Sequence, residues 1–293
     1  MAERLLDQWA AWLLQRRHGG DADELRHTIE RVAKVRDRVL DNARVGAGET
    51  VLDVGTGDGL IAFGAVERVG ERGTVILSDV SQDLLDHDRA LAEQMGVVDR
   101  CRFVRAAAED LSSIEDASVD VVTTRSVLAY VKEKQRAFAE FARVLRPNGR
   151  ISLYEPVNRL CEPEPPHRCG GYDVSPMLDL VAKINAAFEQ HLPMASNPMF
   201  DFDERDLLAF AEQAGIAERH LELRVDVAPH RPQRWETYLR VAPNPLASTL
   251  AEALAEALTA DEIERFSDHL RPLVERGDGT FAVAVAYLWA VKD

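Results

Sequence analysis

Residues 51–59 read Val51-Leu52-Asp53-Val54-Gly55-Thr56-Gly57-Asp58-Gly59, and a helix is predicted to begin at Leu60. The apolar start is typical of a buried strand. The three glycines at alternate positions suit a turn with positive φ or a close approach between backbone and ligand. The helix behind them offers free N–H groups and a partial positive charge. The stretch therefore predicts a cradle for a small polar ligand, of a kind that several nucleotide-binding sheets use.

Apolar segments alternate with helical segments throughout residues 49–155. The predicted strands are Val51–Val54, Thr74–Val80, Cys101–Ala106, Val119–Thr124 and Arg150–Tyr154. The predicted helices between them are residues 60–69, 82–95 and 132–145. This alternation indicates βαβ units, and so a parallel sheet with helices on both faces. Ligands of such sheets bind outside the carboxyl ends of the strands.

The flanking regions are less regular. Residues 1–48 predict two helices, and the second, about residues 23–43, has an apolar stripe and a basic face that we interpret as solvated, with contact to an acidic partner as the alternative. Residues 156–200 are rich in Pro, Cys, His and Asn. A helix is predicted at 203–214, a strand at 220–227, a helical insertion at about 233–276 and a last strand at 280–291.

Composition narrows the class of protein. The 293 residues are 46% hydrophobic and 29% charged, as in a globular protein, and 35 Lys+Arg against 50 Asp+Glu give a net charge of −15. This charge argues against nucleic-acid binding and against docking on an anionic membrane. Three cysteines without a CxxC pair indicate reduced thiols. With no targeting segment and no apolar run of about 20 residues, we expect a soluble, cytoplasmic protein.

Further motifs follow the predicted strands. Asp53 lies inside the first strand, where a dinucleotide-binding fold normally has an apolar residue, and Asp79 ends the second strand, where it can accept hydrogen bonds from ribose hydroxyls. The third strand is followed by Ala108-Glu109-Asp110-Leu111, and the fourth by Arg125-Ser126-Val127-Leu128. A helix stopped by Pro147-Asn148-Gly149 leads into the fifth strand.

In this order the segments resemble class I S-adenosylmethionine (SAM)-dependent methyltransferases, and within them the branch of ubiquinone/menaquinone C-methyltransferases and small-molecule methyltransferases. The resemblance covers about residues 45–155. It implies an α/β, Rossmann-like class I methyltransferase sheet, mostly parallel and seven-stranded with the last strand antiparallel, carrying helical lid insertions. The expected segments are an N-terminal helical lid (1–48), the SAM-binding core (49–155), a lid insertion (156–202) and the remainder of the core (203–293) with a helical insertion at about 228–279.

The resemblance also implies a cofactor, SAM, with S-adenosylhomocysteine as product. The residues expected to contact it are Asp53, Gly55, Thr56, Gly57, Gly59, Asp79, Val80, Ala108, Glu109 and Arg125. Asp53 would bind the amino group, Asp79 the ribose, and Arg125 the carboxylate or the region of the sulfur. Relatives often have an Asp just before the Ala-Glu pair, where this chain has Ala107. Adenine recognition would then depend on Glu109, Asp110 or backbone groups.

Methyl transfer from a sulfonium requires mainly alignment and exclusion of water, and a base only where the accepting atom carries a proton of high pKa. The lid segments are expected to close over the methyl group. Residues able to reach it are Tyr130, Glu155, Asn158, Arg159, His167, Tyr172, Asp173, His191, Arg234 and Trp235. Among these, His167 and Glu155 are the candidate bases, and Tyr130 is the third candidate catalytic residue. No metal is expected, although Cys161, His167 and Cys169 leave a zinc site as an alternative.

Three functions remain open. The first is a methyltransferase acting on an O, N or C atom of a small molecule. The second is a methyltransferase acting on a peptide or protein group such as a carboxylate, and the third is a SAM-binding module without catalysis. An NAD-dependent dehydrogenase is disfavoured by the glycine spacing and by Asp53. The expected partner is a small-molecule acceptor, without nucleic acid or membrane, and a homodimer is possible through the apolar N-terminal helix.

Overall fold

The computed structural model describes residues 5–191 and 193–293. Within them, nine strands form a seven-stranded sheet and a small hairpin. The strands are Thr50–Val54 (β1), Thr74–Asp79 (β2), Cys101–Arg105 (β3), Val119–Arg125 (β4), Leu145–Pro156 (β5), Arg168–Cys169 (β6), Tyr172–Asp173 (β7), Glu218–Pro229 (β8) and Thr280–Val291 (β9). Strands β6 and β7 form the hairpin, and the other seven form the sheet.

Ten α-helices occur in the same described ranges. They are Gln8–Ala11 (α1), which continues as a π-helical segment over Trp12–Arg16, Ala22–Asn42 (α2), Leu60–Val69 (α3), Gln82–Gln94 (α4), Lys134–Val144 (α5), Leu178–His191 (α6), Glu204–Gln213 (α7), Trp235–Arg240 (α8), Leu250–Ala257 (α9) and Ala260–Arg276 (α10). None of the helices in the part of the chain that is described is long and apolar enough to cross a membrane.

The sheet has the order β3-β2-β1-β4-β5-β9-β8. Strand β1 pairs in parallel with both β2 and β4, and β9 runs antiparallel between β5 and β8. The chain therefore reverses its direction of crossover beside β1, which is where such sheets bind ligands. The sequence-based prediction of a mostly parallel, seven-stranded sheet with an antiparallel last strand is confirmed.

Both faces of the sheet are covered, as continuous apolar strands require. On one face Leu52 and Val122 pack with α5 and α7, and on the other Val51 and Leu77 pack with α2, α3 and α4. These side chains are fully buried, and each contributes on the order of 2 kcal/mol through burial. The two cores hold the carboxyl ends of β1, β2 and β4 in fixed register.

The two long insertions pack against each other. Their buried side chains, among them Tyr172, Ile184, Trp235 and Phe266, form a third apolar core made of α6, α8, α9, α10 and the β6–β7 hairpin. Sequence analysis treated the insertions as separate segments because pairing between distant segments has no local pattern. The boundaries proposed for the four segments stay a prediction.

Helix α2 departs from its predicted pattern in two respects. Val32 and Val39 of the apolar stripe are buried, but Leu25 and Ile29, two turns and one turn before Val32, are 43% and 55% exposed. The basic face is also not wholly solvated, because Arg38 forms an ion pair with Glu222 and lies over the ring of Tyr287. The interpretation of this face as solvated is therefore wrong for Arg38.

Candidate functional site

A cavity of about 490 Å³ lies at the carboxyl ends of β1, β2 and β4. One end is lined by the glycine-rich loop and the residues after β2 and β3. The other end is lined by α1, α2, β9 and the insertions, including Trp12, Val35, Met199, Val283 and Pro243. The cavity therefore joins the predicted cofactor-binding loop to the elements that cover it.

The loop between β1 and α3 depends on its glycines. Gly55 and Gly59 have φ of 64° and 72°. A Cβ on Gly55 would lie 2.3 Å from Val127 Cγ2, and one on Gly59 would lie 2.3 Å from the Phe63 ring. Any larger residue would thus be strained and would also clash, so the loop stays close to the sheet and leaves space above it.

Asp53 is buried beneath this loop and has an unsatisfied oxygen. Its Oδ1 accepts a hydrogen bond from Thr123 Oγ1 at 2.7 Å, whereas Oδ2 has no partner among the described residues. Burial raises the pKa of Asp53 to about 7. An unpartnered carboxylate oxygen at this place can accept a hydrogen bond from an ammonium group, so Asp53 fits the amino group of SAM.

Asp79 at the end of β2 is fixed by two backbone donors. Gly57 N donates to Asp79 Oδ2 at 3.0 Å, and Ser81 N donates to Asp79 Oδ1 at 2.9 Å. Each oxygen keeps a lone pair that can accept from a ligand hydroxyl. Next to it, the side chain of Val80 is 42% exposed and lines the cavity, which provides an apolar surface for a flat ring.

Seven of the ten predicted cofactor residues line the cavity: Gly55, Gly57, Asp79, Val80, Ala108, Glu109 and Arg125. Asp53, Thr56 and Gly59 lie behind them and are not part of the lining. Of the two acidic side chains considered for adenine recognition, Glu109 lines the cavity, whereas Asp110 is exposed and accepts from Ser112 N.

The N-terminal segment that covers the cavity is hydrogen-bonded both to the start of α4 and to the second insertion. Asp7, the N-cap of α1, accepts a hydrogen bond from Ser81 Oγ at 2.6 Å, two residues beyond Asp79. Trp12 Nε1 donates to Ala242 O at 2.9 Å, which ties the N-terminal segment to the second insertion. At the start of α2, the N-cap Asp21 accepts hydrogen bonds from Arg234, the N-cap of α8, and from Thr237 within α8.

The three candidate catalytic residues lie in different surroundings. Tyr130 lines the cavity with its ring 5.2 Å from that of Trp9, and burial raises the pKa of Tyr130 well above its usual value. The phenol is therefore neutral, so it can form hydrogen bonds but is a poor base. His167 is exposed next to the β6–β7 hairpin and does not line the cavity.

Glu155 is completely buried and does not line the cavity either. Its carboxylate accepts from the N–H groups of Val127, Leu128 and Ala129 at 2.9, 3.1 and 3.3 Å. Burial raises the pKa of Glu155 to about 7 despite these bonds. The contacts suit a residue that holds the loop after β4, and with it Tyr130, in place.

Most of the wider set predicted to reach the methyl group lies elsewhere. Asn158 lines the cavity, whereas Arg234 forms an ion pair with Asp21, and Tyr172 and Trp235 belong to the core of the insertions. Arg159 and Asp173 are also absent from the lining, and the side chain of His191 lies outside the described residues. Within the described ranges, no three His, Cys, Asp or Glu side chains form a group that could hold a metal ion.

Sequence analysis missed two basic lining residues. Arg17 follows the π-helical segment, and Arg31 belongs to the basic face of α2, yet both line the cavity. Arg31 is exposed, as the interpretation of that face as solvated expects, and it also lines the cavity. The spacing of Arg31 from Thr28 and Val35, which also line the cavity, is the one local signal that could have indicated it.

Comparisons with known proteins agree with this geometry. A family model described as a methyltransferase domain matches residues 46–191. The chain is 35% identical over 124 residues to the ubiquinone/menaquinone biosynthesis C-methyltransferase UbiE of Citrobacter koseri, and 34% identical over 124 residues to that of Escherichia fergusonii. Each match covers 42% of this chain and 49% of the relative, so the chain spans about half the length of these curated relatives.

Solved structures share the fold at low sequence identity. A putative methyltransferase from Bacillus halodurans matches with a TM-score of 0.55 and 18% identity, over 88% of this chain and 98% of that chain. A geranyl diphosphate methyltransferase in complex with SAM matches with a TM-score of 0.54 and 20% identity, over 98% of this chain and 96% of that chain. These structures show the fold, and the family model and the sequence relatives show the family. The chain belongs to the class I SAM-dependent methyltransferase family.

Proposed function

We propose that the protein transfers a methyl group from SAM to an O, N or C atom of a small-molecule acceptor. The observation that carries the proposal is the continuity of the cavity. The same space of about 490 Å³ contacts Gly57, Asp79 and Glu109 at one end and the covering elements at the other. A volume of this order suits small ligands.

The residues at the cofactor end have distinct tasks. When bound, SAM supplies a methyl carbon that is already activated by the sulfonium. Asp79 accepts hydrogen bonds from the ribose, and Val80 packs against the adenine. Asp53, from behind the loop, attracts the amino group directly or through water, and Arg125 binds the carboxylate. These contacts fix the position of the methyl group relative to the acceptor.

The covering residues exclude water from the reacting atoms. Trp9, Trp12 and Leu13 line the cavity from the N-terminal segment, and a Cβ on Gly57 would lie 3.1 Å from Leu13 Cδ2. The cover thus lies directly on the glycine-rich loop. Because it is joined to α4 and to the second insertion, its displacement would open the cavity for exchange of ligands.

For the acceptor, we propose that Tyr130 is the catalytic residue that forms a hydrogen bond to it. Glu155 acts as a positioning residue for the loop that carries Tyr130. The described lining contains no histidine, so alignment rather than an imidazole base is the main contribution of the protein. His167 does not line the cavity, so its location does not support a role as the base.

The acceptor is proposed to be a free small molecule in the cytoplasm. A peptide or protein acceptor is the second candidate, and the cover that α1 and α2 form over the cavity favours a small molecule instead. A SAM-binding module without catalysis is the third. No observation favours nucleic acid or a membrane as partner, and a homodimer remains part of the sequence-based prediction.

The test is release of S-adenosylhomocysteine from SAM by the purified protein, with a protein-free metabolite extract as acceptor source. We expect turnover that depends on the extract and is lost in the Asp79→Ala variant. Turnover only with an extract of proteins would favour the second candidate. Binding of SAM without turnover on either extract would favour the third.

A further inference from the structure

Three arginines line the cavity without an ion-pair partner among the described residues. Arg17 comes from the segment after α1, Arg31 from α2 and Arg125 from the end of β4. No ion pair or hydrogen bond joins any of them to another side chain in the described ranges. An unpaired guanidinium in a partly dehydrated cavity is unfavourable unless a ligand brings the opposite charge.

The acidic residues of the lining lie at the cofactor end. They are Asp79 and Glu109, and Asp79 already accepts from Gly57 N and Ser81 N. Among the residues that α1, the segment after it and α2 contribute to the described lining, there are two cations, Arg17 and Arg31, and no carboxylate. In a protein with a net charge of −15, this local excess of positive charge is unusual.

The electrostatic environment of Arg17 is set by burial and by the charges of its neighbours. Its guanidinium carbon lies 5.4 Å from the centroid of the Trp12 ring. Burial, followed by repulsion from Arg125 and Arg31, lowers the pKa of Arg17 to about 10. Asp58 acts in the opposite direction, but it neither lines the cavity nor forms an ion pair with Arg17 in the described structure. Arg17 is therefore partly buried beside two other positive charges, whereas Arg31 is exposed at the cavity.

The cofactor accounts for only part of this charge. SAM carries one carboxylate, which the proposed function assigns to Arg125, and it adds a positive sulfonium of its own. Arg17 and Arg31 are then left without an anion, and the same cavity has an apolar surface that includes Val35, Val283 and Val285. Guanidinium groups bind carboxylates and phosphates through paired, charge-assisted hydrogen bonds.

We propose that the methyl acceptor is an amphiphilic anion, with a carboxylate or phosphate group bound by Arg17 and Arg31 and an apolar part against β9 and α2. The inference rests on the proposed function, because it assigns this part of the cavity to the acceptor. It narrows the acceptor to one class of charge and shape.

The test uses four probes with the same six-carbon chain: hexanoate, hexyl phosphate, hexanol and hexylamine. Their binding to the full chain is measured by calorimetry in the presence of saturating S-adenosylhomocysteine. We expect one or both anions to bind about tenfold or more tightly than hexanol, and hexylamine to bind least. The better of the two anions tells a carboxylate site from a phosphate site. Equal binding of the anions and hexanol, or no binding of the anions, would overturn the proposal.

Variants distinguish direct binding of the anion by Arg17 and Arg31 from the general effect of removing a positive charge. Arg17→Gln and Arg31→Gln should each remove most of the preference for anions, and Arg31→Lys should keep part of it. Arg26→Gln is the matched control, because Arg26 is exposed on the same helix and pairs with Asp23. An equal loss in the control would contradict the assignment. Thermal unfolding of each variant shows whether it is folded.

The same titrations distinguish this inference from the proposed function. If Arg17→Gln and Arg31→Gln weaken S-adenosylhomocysteine binding but leave the preference of the probes unchanged, the two arginines serve the cofactor and the inference is wrong. If the wild-type protein does not bind S-adenosylhomocysteine, the proposed function fails. The probes titrated alone still report whether the cavity prefers anions.

Discussion

Asp88 offers a sharp test of the electrostatics under the glycine-rich loop. It lies on α4 with no exposed surface, and neither carboxylate oxygen has a hydrogen-bond partner in the described part of the chain. A Cβ on Gly59 would lie 3.2 Å from Asp88 Oδ1, which places the carboxyl directly below the loop. Burial, and then the charges of Asp58, Asp53 and Asp79, raise the pKa of Asp88 from 3.8 to about 9. The group is therefore neutral in the folded protein at pH 7.

The raised pKa makes stability depend on pH in a defined direction. Between pH 3.8 and about 9 the unfolded chain has Asp88 ionised, whereas the folded protein keeps it protonated. The folded state binds the extra proton, so the free energy of unfolding falls as pH rises, by about 1.4 kcal/mol per pH unit from this group. From pH 5 to pH 8 the fall amounts to about 4 kcal/mol.

The Asp88→Asn variant has the same shape and cannot ionise. We expect its free energy of unfolding, relative to the wild type, to increase by about 4 kcal/mol between pH 5 and pH 8. Urea unfolding at both pH values, followed by circular dichroism, measures this difference. Asp86→Asn is the control, because Asp86 is exposed on the same helix and accepts only from Gln82. A difference between Asp88→Asn and the wild type that stays constant from pH 5 to pH 8 would refute the reasoning.

Three further predictions concern the cofactor and the scaffold. Asp79→Ala should weaken SAM binding about 10- to 100-fold in calorimetry by removing charge-assisted hydrogen bonds. Asp110→Ala, at an exposed position, should leave the affinity unchanged, and equal SAM affinities of Asp79→Ala and the wild type would show that Asp79 is not part of the site. Because burial raises the pKa of Asp53 to about 7, SAM affinity should increase from pH 6 to pH 8 as the carboxylate ionises. Asp53→Asn should reduce this increase, and an unchanged pH dependence in the variant would argue against a contact between Asp53 and the amino group of SAM. Lys134→Met should lower the free energy of unfolding by about 3 kcal/mol, because the buried ammonium donates to two backbone carbonyls and to the carboxylate of Asp201. Lys132→Met, at an exposed position, is the control, and an unchanged stability of Lys134→Met would contradict the prediction.

The sheet could be predicted from the sequence because its signals are local. Apolar strands that end in Asp53-Val54-Gly55 or at Asp79 carry their structure and their ligand chemistry within a few residues. The predicted helix at 60–69 has the observed bounds Leu60–Val69, and the last strand is Thr280–Val291 as expected. The glycine positions and the cavity-facing Asp79 follow from the same short motifs.

The covering segments were expected as a lid, but the residues with which they line the cavity could not be predicted, because these depend on contacts between distant segments. Arg17 and Arg31 become lining residues only when α1 and α2 are held on the sheet by bonds such as that from Trp12 to Ala242. Glu155 is a candidate base from its place after the predicted fifth strand, Arg150–Tyr154, but in the fold it lies within β5 and three backbone N–H groups bind its carboxylate. Neither the turn at 127–130 nor the packing of the insertions has a local sequence pattern.

Calorimetric titration of the purified protein with SAM and with S-adenosylhomocysteine tests the central claim most directly. The account predicts that both bind with one site per chain and micromolar affinity, and that the Asp79→Ala variant binds both more weakly. A well-folded sample that binds neither would contradict it. The glycine-rich loop, Asp53 and Asp79 would then form a scaffold without the cofactor that their geometry fits.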